Sequence, residues 1–316
     1  MGLLTFKGGI HPDDGKRFSK DQAIRPVTPK GDMVYPLSQH IGAPANPVVK
    51  KGDHVLKGQM IAEAGGFVSA PVYSSVSGTV KGLEQRFNPT GSKTECIVIE
   101  NDGEYQETEY EPVKPLNEMT REEILDRIGN AGIVGMGGAG FPTKVKLSPK
   151  EPDKIEYIIA NCAECEPYIT ADYRRMLENT EELVSGMKVV LSLFPNAKGY
   201  FAVEDNKKDC AEKLKAAIAD EPRMDVKLLM TKYPQGAERQ LIYAVTKRAI
   251  NSSMLPADAG CIVDNVETLI GIHTAVVEGK PLMERVVTVS GDAITSPGNF
   301  KVLLGTNHQE LIEAAG

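Results

Sequence analysis

The feature that most constrains the fold is an alternation of strand-like and helix-like segments in the middle of the chain. Apolar runs that suit buried strands are followed by segments whose apolar residues recur with helical spacing. This alternation is typical of a mostly parallel sheet covered by helices on both faces. The sequence predicts strands at residues 155–160, 199–203 and 226–230, and helices at 121–128, 207–219, 237–246 and 266–277, with another helix ending at Phe194.

Residues 1 to about 112 follow a different pattern, in which short apolar stretches are separated by Gly, Asp and Pro. Short strands at this spacing predict a small β-sandwich or barrel. The pattern resembles the flattened sandwich of biotinyl and lipoyl carrier domains, in which a hairpin presents a modified lysine. The corresponding stretch, residues 63–69, contains no lysine, so we expect the fold without the carrier function.

Two changes of pattern divide the chain into three predicted domains. Residues 111–116 contain two prolines and predict a linker, and β-type sequence returns at Arg285. The predicted domains are residues 1–115, 116–284 and 285–316. The last is too short for a core of its own, so we expect the natural chain to continue past Gly316.

Composition argues against several classes of partner. The net charge is -7 and no run of Lys and Arg is present, which argues against nucleic acid and against direct binding to an acidic membrane surface. No apolar run approaches the roughly 20 residues of a spanning helix, and no secretory signal opens the chain. Five scattered cysteines suit free thiols in a reducing cytosol. We expect a soluble cytoplasmic protein that reaches a membrane only through partners.

The segment most suggestive of chemistry is Gly-Met-Gly-Gly-Ala-Gly-Phe-Pro-Thr at residues 135–143, here called the glycine loop. Glycines let backbone N–H groups approach an anion closely. A Rossmann fingerprint needs a strand before the loop and a helix directly after it, whereas a helix is predicted before this one. The residues alone leave two interpretations, a structural turn or a cradle for a phosphate-bearing cofactor.

Three later segments add polar groups at predicted strand or helix ends. Residues 161–167 follow a strand at the edge where α/β proteins bind ligands. Their Cys-x-x-Cys has no second pair, which argues against a zinc site. Gly236 either opens a helix N-terminus toward an anion or forms an ordinary turn beside a surface Glu238. Asp264 and Asn265 are expected to cap the helix that follows.

Together these segments resemble the flavoprotein (NADH-binding) subunit of respiratory complex I. Ala-Glu-Cys-Glu-Pro-Tyr and Tyr-Pro-Gln-Gly-Ala-Glu look more like the RnfC family, whose members belong to the Rnf ferredoxin–NAD oxidoreductase complex. Residues 6–12, 39–44 and 67–71 also resemble that family, so the resemblance spans essentially the whole chain. It implies an α/β protein with an N-terminal lipoyl/biotinyl-like β-sandwich, a central Rossmann-like FMN/NAD-binding domain and the start of a C-terminal β-grasp domain.

The resemblance also implies a site for FMN with NAD(H) stacked on the flavin. The residues implied at the flavin are Gly135, Gly137, Gly138, Gly140, Asn161, Glu164, Cys165, Tyr233, Gly236, Asn265 and Thr268, with Lys146 near the phosphate. Phe141, Glu166 and Glu238 are implied on the nicotinamide side. The complex I pattern has aspartate, serine, glutamate and asparagine where this chain has Ala163, Cys165, Ala237 and Asp264.

The implied function is electron input or output in a membrane ion-translocating ferredoxin–NAD oxidoreductase, by hydride exchange between NAD(H) and flavin. No catalytic side chain is expected, because the cofactors carry the redox chemistry. In the family, electrons continue to 4Fe-4S clusters, but this chain has no Cys-x-x-Cys-x-x-Cys run to bind one. The implied partners are NADH, the other subunits on the inner face of the membrane and, indirectly, ferredoxin.

Three alternatives remain open on the sequence alone. The chain could be a non-catalytic docking scaffold of a membrane redox complex, or a related redox subunit of a soluble amino-acid reductase. It could also belong to the sodium-pumping quinone reductase, although the intact glycine loop and the paired glutamates Glu164 and Glu166 argue against that interpretation.

Overall fold

A computed structural model describes residues 2–88 and 91–316, which form a mixed α/β protein. The strands of these ranges are β1 (Arg25–Val27), β2 (Met33–Pro36), β3 (Asn46–Pro47), β4 (His54–Val55), β5 (Met60–Glu63), β6 (Val72–Tyr73), β7 (Gly78–Phe87), β8 (Lys93–Asn101), β9 (Tyr157–Cys162), β10 (Lys198–Glu204), β11 (Met224–Leu229), β12 (Cys261–Asn265), β13 (Glu284–Val289) and β14 (Gly298–Leu303). The α-helices are α1 (Arg121–Asn130), α2 (Thr143–Lys146), α3 (Ala171–Glu178), α4 (Thr180–Leu193), α5 (Lys208–Ala217), α6 (Glu238–Thr246), α7 (Val266–Val276) and α8 (His308–Ala315).

The middle of the chain contains a parallel four-stranded sheet in the order β11-β10-β9-β12. Alternate residues of β9 enter different cores: Ile158 packs with residues of α4 and α7, and Ile159 packs with residues of α6. This alternation buries both faces of the sheet, as the sequence predicts. The first predicted strand lies at Tyr157–Cys162 instead of 155–160, and β12 is an additional strand.

The helices of the parallel sheet follow the predicted order with small shifts at their ends. Helix α1 begins with a capping box in which the Thr120 side chain accepts from Glu123 N, as its sequence indicates. Helix α4 ends at Leu193, shortly before Pro195, which cannot continue a helical hydrogen-bond ladder. Helices α4 and α7 pack so closely that a Cβ on Gly186 would lie 1.9 Å from the Leu269 carbonyl oxygen.

Two small antiparallel sheets lie N-terminal to this unit, in the orders β2-β8-β7-β4 and β3-β5-β6. Their inner faces enclose one apolar core that includes Met33, Tyr35, Val55, Ile61, Ile97 and Ile99. Residues 64–71 connect β5 to β6 and form the predicted hairpin, here called the 64–71 hairpin. The described residues of 33–101 therefore fold as a unit with its own core, here called the β unit.

A third sheet, in the order β1-β14-β13, combines residues from both ends of the described chain. Strand β1 pairs in parallel with β14, so that Val27 lies opposite Val302 and contributes to a core with Leu311 of α8. The residues after 285 thus gain packing from a strand that lies far away in sequence. The limits 1–115, 116–284 and 285–316 stay predictions.

Residues 2–20, here called the N-terminal arm, lie along the edge of the parallel sheet. Leu4 N donates to Leu228 O at 2.9 Å, and Met230 N donates back to Leu4 O at 2.9 Å. Further along, Ile10 and Tyr233 exchange backbone hydrogen bonds, both 2.8 Å long. The arm therefore reaches the carboxyl edge of the sheet, where the polar segments singled out in the sequence converge.

Candidate functional site

A large cleft of about 1610 Å³ runs along β12, an outer strand of the parallel sheet, from residues 255–260 before its amino end to the carboxyl ends of β9 and β12. The carboxyl edge of a parallel sheet is where α/β proteins bind ligands. Ten of the residues implied by resemblance line the cleft: Gly135, Gly137, Gly138, Phe141, Lys146, Asn161, Gly236, Glu238, Asn265 and Thr268. Segments that lie far apart in sequence thus form one surface.

The glycine loop forms one wall of the cleft and is closed at its base by a backbone hydrogen bond. Gly135 N donates to Phe141 O at 2.8 Å. A Cβ added to Gly137 would lie 2.8 Å from the Asn265 Cβ, whereas one added to Gly138 would meet nothing within 4 Å. Gly137 therefore permits close packing against the start of α7, and Gly138, which lines the cleft, has open space beside it.

The strand-end segments meet each other around Gly236. Asn161 Nδ2 donates to Gly236 O at 2.8 Å, and Gly236 N donates to Cys165 Sγ at 3.2 Å. A Cβ on Gly236 would lie 3.2 Å from that sulfur atom. These bonds hold Asn161 and Cys165 in place and make Cys165 part of the packing behind the cleft wall. Burial raises the pKa of the Cys165 thiol, which keeps it protonated at neutral pH.

The start of α7 forms the floor of the cleft. Asn265 caps the helix by accepting from Glu267 N at 2.9 Å and donates from Nδ2 to Asp172 at 2.6 Å. Thr268 Oγ1 accepts from Met136 N at 2.9 Å and so ties the glycine loop to α7. The predicted cap is confirmed for Asn265, whereas Asp264 is not a cap, because neither of its carboxylate oxygens accepts a hydrogen bond among the described residues.

Lys146 and Asp264 form an ion pair at the edge of this floor. The Lys146 Nζ lies 3.3 Å from Asp264 Oδ1 and donates to Val263 O at 2.7 Å. The Asp264 carboxylate is buried and has no hydrogen-bond partner among the described residues. Lys146 lines the cleft as well, and its side chain is 26% exposed.

Five of the implied residues do not line the cleft. Gly140 packs on the β unit, since a Cβ there would lie 3.1 Å from both Gln39 O and His40 Cα. Tyr233 pairs with the N-terminal arm through its backbone. Cys165 lies behind Gly236. The Glu164 side chain is buried in the protein, and Glu166 is exposed at its surface.

The Glu164 carboxylate lies at the first turn of α3, where it accepts from Asp172 N at 2.7 Å and Tyr173 N at 3.2 Å. Lys16 of the N-terminal arm lies 3.9 Å away. Burial, followed by the negative charge of Asp172, raises the pKa of Glu164 to about 8. Burial and the nearby Glu267 raise the pKa of Asp172 to about 6. Both buried carboxyl groups thus have raised pKa values, and Glu164 keeps its proton to a higher pH than Asp172.

The raised pKa of Glu164 predicts that the free energy of unfolding falls as pH rises. Between 4.5, the ordinary pKa of Glu164, and its raised value of about 8, the folded chain holds a proton that the unfolded chain releases. The free energy of unfolding should therefore decrease over this range, and Glu164→Gln should reduce the slope. Urea unfolding at several pH values measures it, with the exposed Glu166→Gln as the matched control. Equal slopes in all three proteins would contradict the assignment.

Sequence reasoning missed two groups of residues at the site. Lys16 and Lys207 are buried and bind backbone carbonyl groups of the segment after β9, although lysine in a polar stretch gives no signal of burial. Phe67 of the 64–71 hairpin lines the cleft from the β unit. Its signal was present, since residues 67–71 already resemble the same family as the cleft segments.

The described ranges offer neither a metal cluster nor a membrane-spanning helix. No group of three or more His, Cys, Asp or Glu residues there is arranged to hold a metal ion. None of the helices in those ranges is long and apolar enough to cross a membrane.

Three family models match the chain in consecutive parts. The RnfC barrel sandwich hybrid domain matches residues 4–104, the Nuo51 FMN-binding domain matches residues 128–274, and the SLBB domain matches residues 286–316. The second of these contains all of the implied cofactor residues.

Similar proteins cover almost the whole chain. The C subunit of the proton-translocating ferredoxin:NAD(+) oxidoreductase complex of Clostridium ljungdahlii is 45% identical over 316 residues, which are 99% of this chain and 69% of that protein. Its counterpart in the Na(+)-translocating complex of Acetobacterium woodii is 43% identical over 313 residues, 99% of this chain and 71% of that protein. The counterpart in the ion-translocating oxidoreductase complex of Haemophilus influenzae is 37% identical over 99% of this chain, which spans 48% of that protein's length.

Among solved structures, an NAD+-reducing NiFe hydrogenase in the air-oxidized state matches with a TM-score of 0.54. The match covers 67% of this chain and 45% of the hydrogenase chain, at 23% sequence identity. A likeness at this identity shows a shared fold.

Proposed function

Because the chain belongs to the RnfC family of ion-translocating ferredoxin–NAD oxidoreductase (Rnf) complexes, we propose that its cleft binds FMN and NAD(H) and exchanges hydride between them. The chain is then the electron-input or electron-output subunit of a membrane complex. Its finer architecture would be a lipoyl/biotinyl-like sandwich at 1–115, a Rossmann-like cofactor domain at 116–284 and a β-grasp region from 285.

The observation that carries this proposal is the convergence of the glycine loop with the ends of β9 and β12 on one cleft. A cradle must leave space beside the backbone, and the open side of Gly138 provides it. Lys146 adds a positive charge at the same wall, which suits a phosphate group. The cleft also extends past the glycine loop, along residues 148–156 and 255–263. The glycine loop, Lys146 and the strand ends therefore fit a flavin nucleotide, and the cleft leaves room next to it for a second ligand.

In this proposal the chain's own residues bind and orient, and none transfers a proton. Bound FMN supplies both hydride exchange and single-electron transfer. Gly135, Gly137 and Gly138 would lie against the flavin, with Asn161, Gly236, Asn265 and Thr268 on the opposite surfaces and Lys146 near the phosphate. Phe141 and Glu238 also line the cleft and would lie on the nicotinamide side. Glu164, Cys165 and Tyr233 would act by holding the strand-end segments in place.

The wider setting follows from the family. We propose that the chain lies on the cytoplasmic face of the membrane, attached through the other subunits of the complex. Electrons would pass between its flavin and ferredoxin indirectly, through iron–sulfur clusters. The names of the relatives support membership of such a complex.

The test is a titration of the purified chain with FMN, followed by anaerobic addition of NADH. We expect saturable binding and then bleaching of the flavin absorbance band. Riboflavin, which lacks the phosphate, is the matched ligand, and we expect it to bind about 10–150-fold more weakly if charged hydrogen bonds to the phosphate contribute about 1.5–3 kcal/mol.

The outcomes separate the parts of the proposal. Binding without bleaching would contradict hydride exchange on this chain and would direct attention to the nicotinamide side. Failure of a folded chain to bind FMN would contradict the proposal as a whole and favour the scaffold interpretation.

A further inference from the structure

Phe67 is the one aromatic residue that the β unit contributes to the lining of the cleft within the described ranges. It lies in the 64–71 hairpin and is 84% exposed. An exposed phenyl ring that borders a ligand cleft can stack on a planar ring of the ligand. The other lining residues, all within 135–268, belong to the unit that contains the parallel sheet, here called the α/β unit. Phe67 is therefore placed to contact a planar ligand from the β unit.

The hairpin that carries Phe67 is packed firmly against residues 42–44. Ala43 N donates to Val68 O at 2.9 Å, and Gly65 N donates to Ser69 Oγ at 2.9 Å. A Cβ on Gly65 would lie 2.0 Å from Pro44 O, so the two segments touch through their backbones. These contacts fix the hairpin on both sides of Phe67.

The same hairpin is tied to the glycine loop through His40. The His40 Nε2 accepts from Ala70 N at 3.1 Å, and its ring is buried. On the other side, Gly140 packs so tightly on His40 that an added Cβ would lie 3.1 Å from its Cα. The position of Phe67 relative to the glycine loop is thus set by direct packing between the two units.

Solvent exposure differs between Phe67 and the residues implied at the flavin. Thr268 and Asn161, which are implied at the flavin, are buried and half-buried on the floor. Phe67 is largely open to solvent, as expected of a residue at the mouth. A ligand that lies outside the flavin would reach it, and both ends of a nicotinamide dinucleotide are planar rings.

We propose that Phe67 stacks on a ring of NAD(H), so that the hairpin of the β unit completes the dinucleotide site of the α/β unit. This inference rests on the proposed function. In the stretch that resembles the lysine-presenting hairpin of carrier domains, this chain would present an aromatic ring to a cofactor bound by the neighbouring unit.

The test compares Phe67→Ala with Phe87→Ala in the purified chain. Phe87 is the matched control because it is 74% exposed, belongs to the same unit and does not line the cleft. We expect Phe67→Ala to raise the Kd for NADH about three- to tenfold, in line with aromatic stacking, and to leave the Kd for FMN unchanged. Phe67→Trp should retain wild-type NADH affinity, because it keeps the aromatic face.

Competition with ADP-ribose identifies the ring. A similar loss of ADP-ribose affinity in Phe67→Ala would assign the contact to adenine, and unchanged ADP-ribose affinity with weakened NADH would assign it to nicotinamide. Wild-type NADH affinity in Phe67→Ala, or an equal loss of NADH affinity in Phe87→Ala, would overturn the inference. FMN binding and bleaching in the same experiments would still uphold the proposed function. A wild-type chain that binds no FMN would overturn both.

Discussion

Replacing Lys207 by methionine is expected to lower the free energy of unfolding by about 3–5 kcal/mol, because it leaves a buried charge without its partner. The Lys207 side chain is 1% exposed, and its Nζ donates to Ala163 O at 2.6 Å and lies 3.2 Å from the Glu204 carboxylate. Glu204 is equally buried. Urea unfolding at neutral pH measures the loss as a lower midpoint.

The control lies close by in the sequence. Lys215 of α5 is exposed, and Lys215→Met should change the midpoint little. Neutralising the partner as well, with Lys207→Met and Glu204→Gln together, should recover part of the loss, since the uncompensated charge is removed. If Lys207→Met and Lys215→Met unfold at the same urea concentration, the buried pair contributes nothing to stability.

Lys207 belongs to a set of three buried lysines that hold backbone carbonyl groups near the cleft. Lys16 binds the carbonyls of Glu166 and Ile169, and Lys232 binds those of Phe6 and Gly8. These irregular segments have carbonyl groups that no sheet or helix can pair, and buried carbonyls need donors. Lys16 thereby joins the N-terminal arm to the segment after β9, Lys232 joins the arm to the segment after β11, and Lys207 joins the segments after β9 and β10.

The arm and the strand-end segment thus depend on each other. Because Lys16 also faces Glu164, the cationic end of the arm partly opposes the effect of burial, which raises the pKa of the carboxyl group that caps α3. The proposed flavin surface therefore relies on residues that precede the α/β unit by more than a hundred positions. The cofactor motifs alone do not reveal this support.

The elements that could be predicted well from the sequence are those with a strong local period. Helix α1 has both its capping box and its apolar spacing, and β10 lies within one residue of the predicted strand at each end. Strand β12 was missed because Cys261–Asn265 is short and ends in polar residues. Strand β1 is Arg-Pro-Val, which has no alternation, and it forms only through pairing with β14 far along the chain.

The grouping of the motifs on one cleft could be predicted where a motif supplied both the position and the chemistry, and the binding roles of its residues stay predictions. The glycine loop and the ends of β9 and β12 converge because the carboxyl ends of parallel strands share one edge. The orientation of Glu164 was not predictable, since it depends on α3 and on Lys16. The contact of Gly140 with His40 depends likewise on how two units pack.

The glycine loop offers the second large effect, and Gly138→Ala is expected to weaken FMN binding by about 5–150-fold. The added methyl group meets no protein atom within 4 Å, so it would extend into the space proposed for the flavin. The expected range corresponds to about 1–3 kcal/mol of steric overlap in a packed site. FMN titration measures the affinity, and urea unfolding should show an unchanged midpoint.

Gly137→Ala is the matched variant, because the same methyl group there would lie 2.8 Å from the Asn265 Cβ. Asn265 caps α7 and binds Asp172, so this variant should lose stability as well as FMN affinity. The pair decides between the two interpretations of the loop that its residues leave open. Loss of affinity at constant stability in Gly138→Ala means that the loop is a cradle. If Gly138→Ala binds FMN as the wild type does while Gly137→Ala unfolds early, the glycines serve only the packing of the loop against α7.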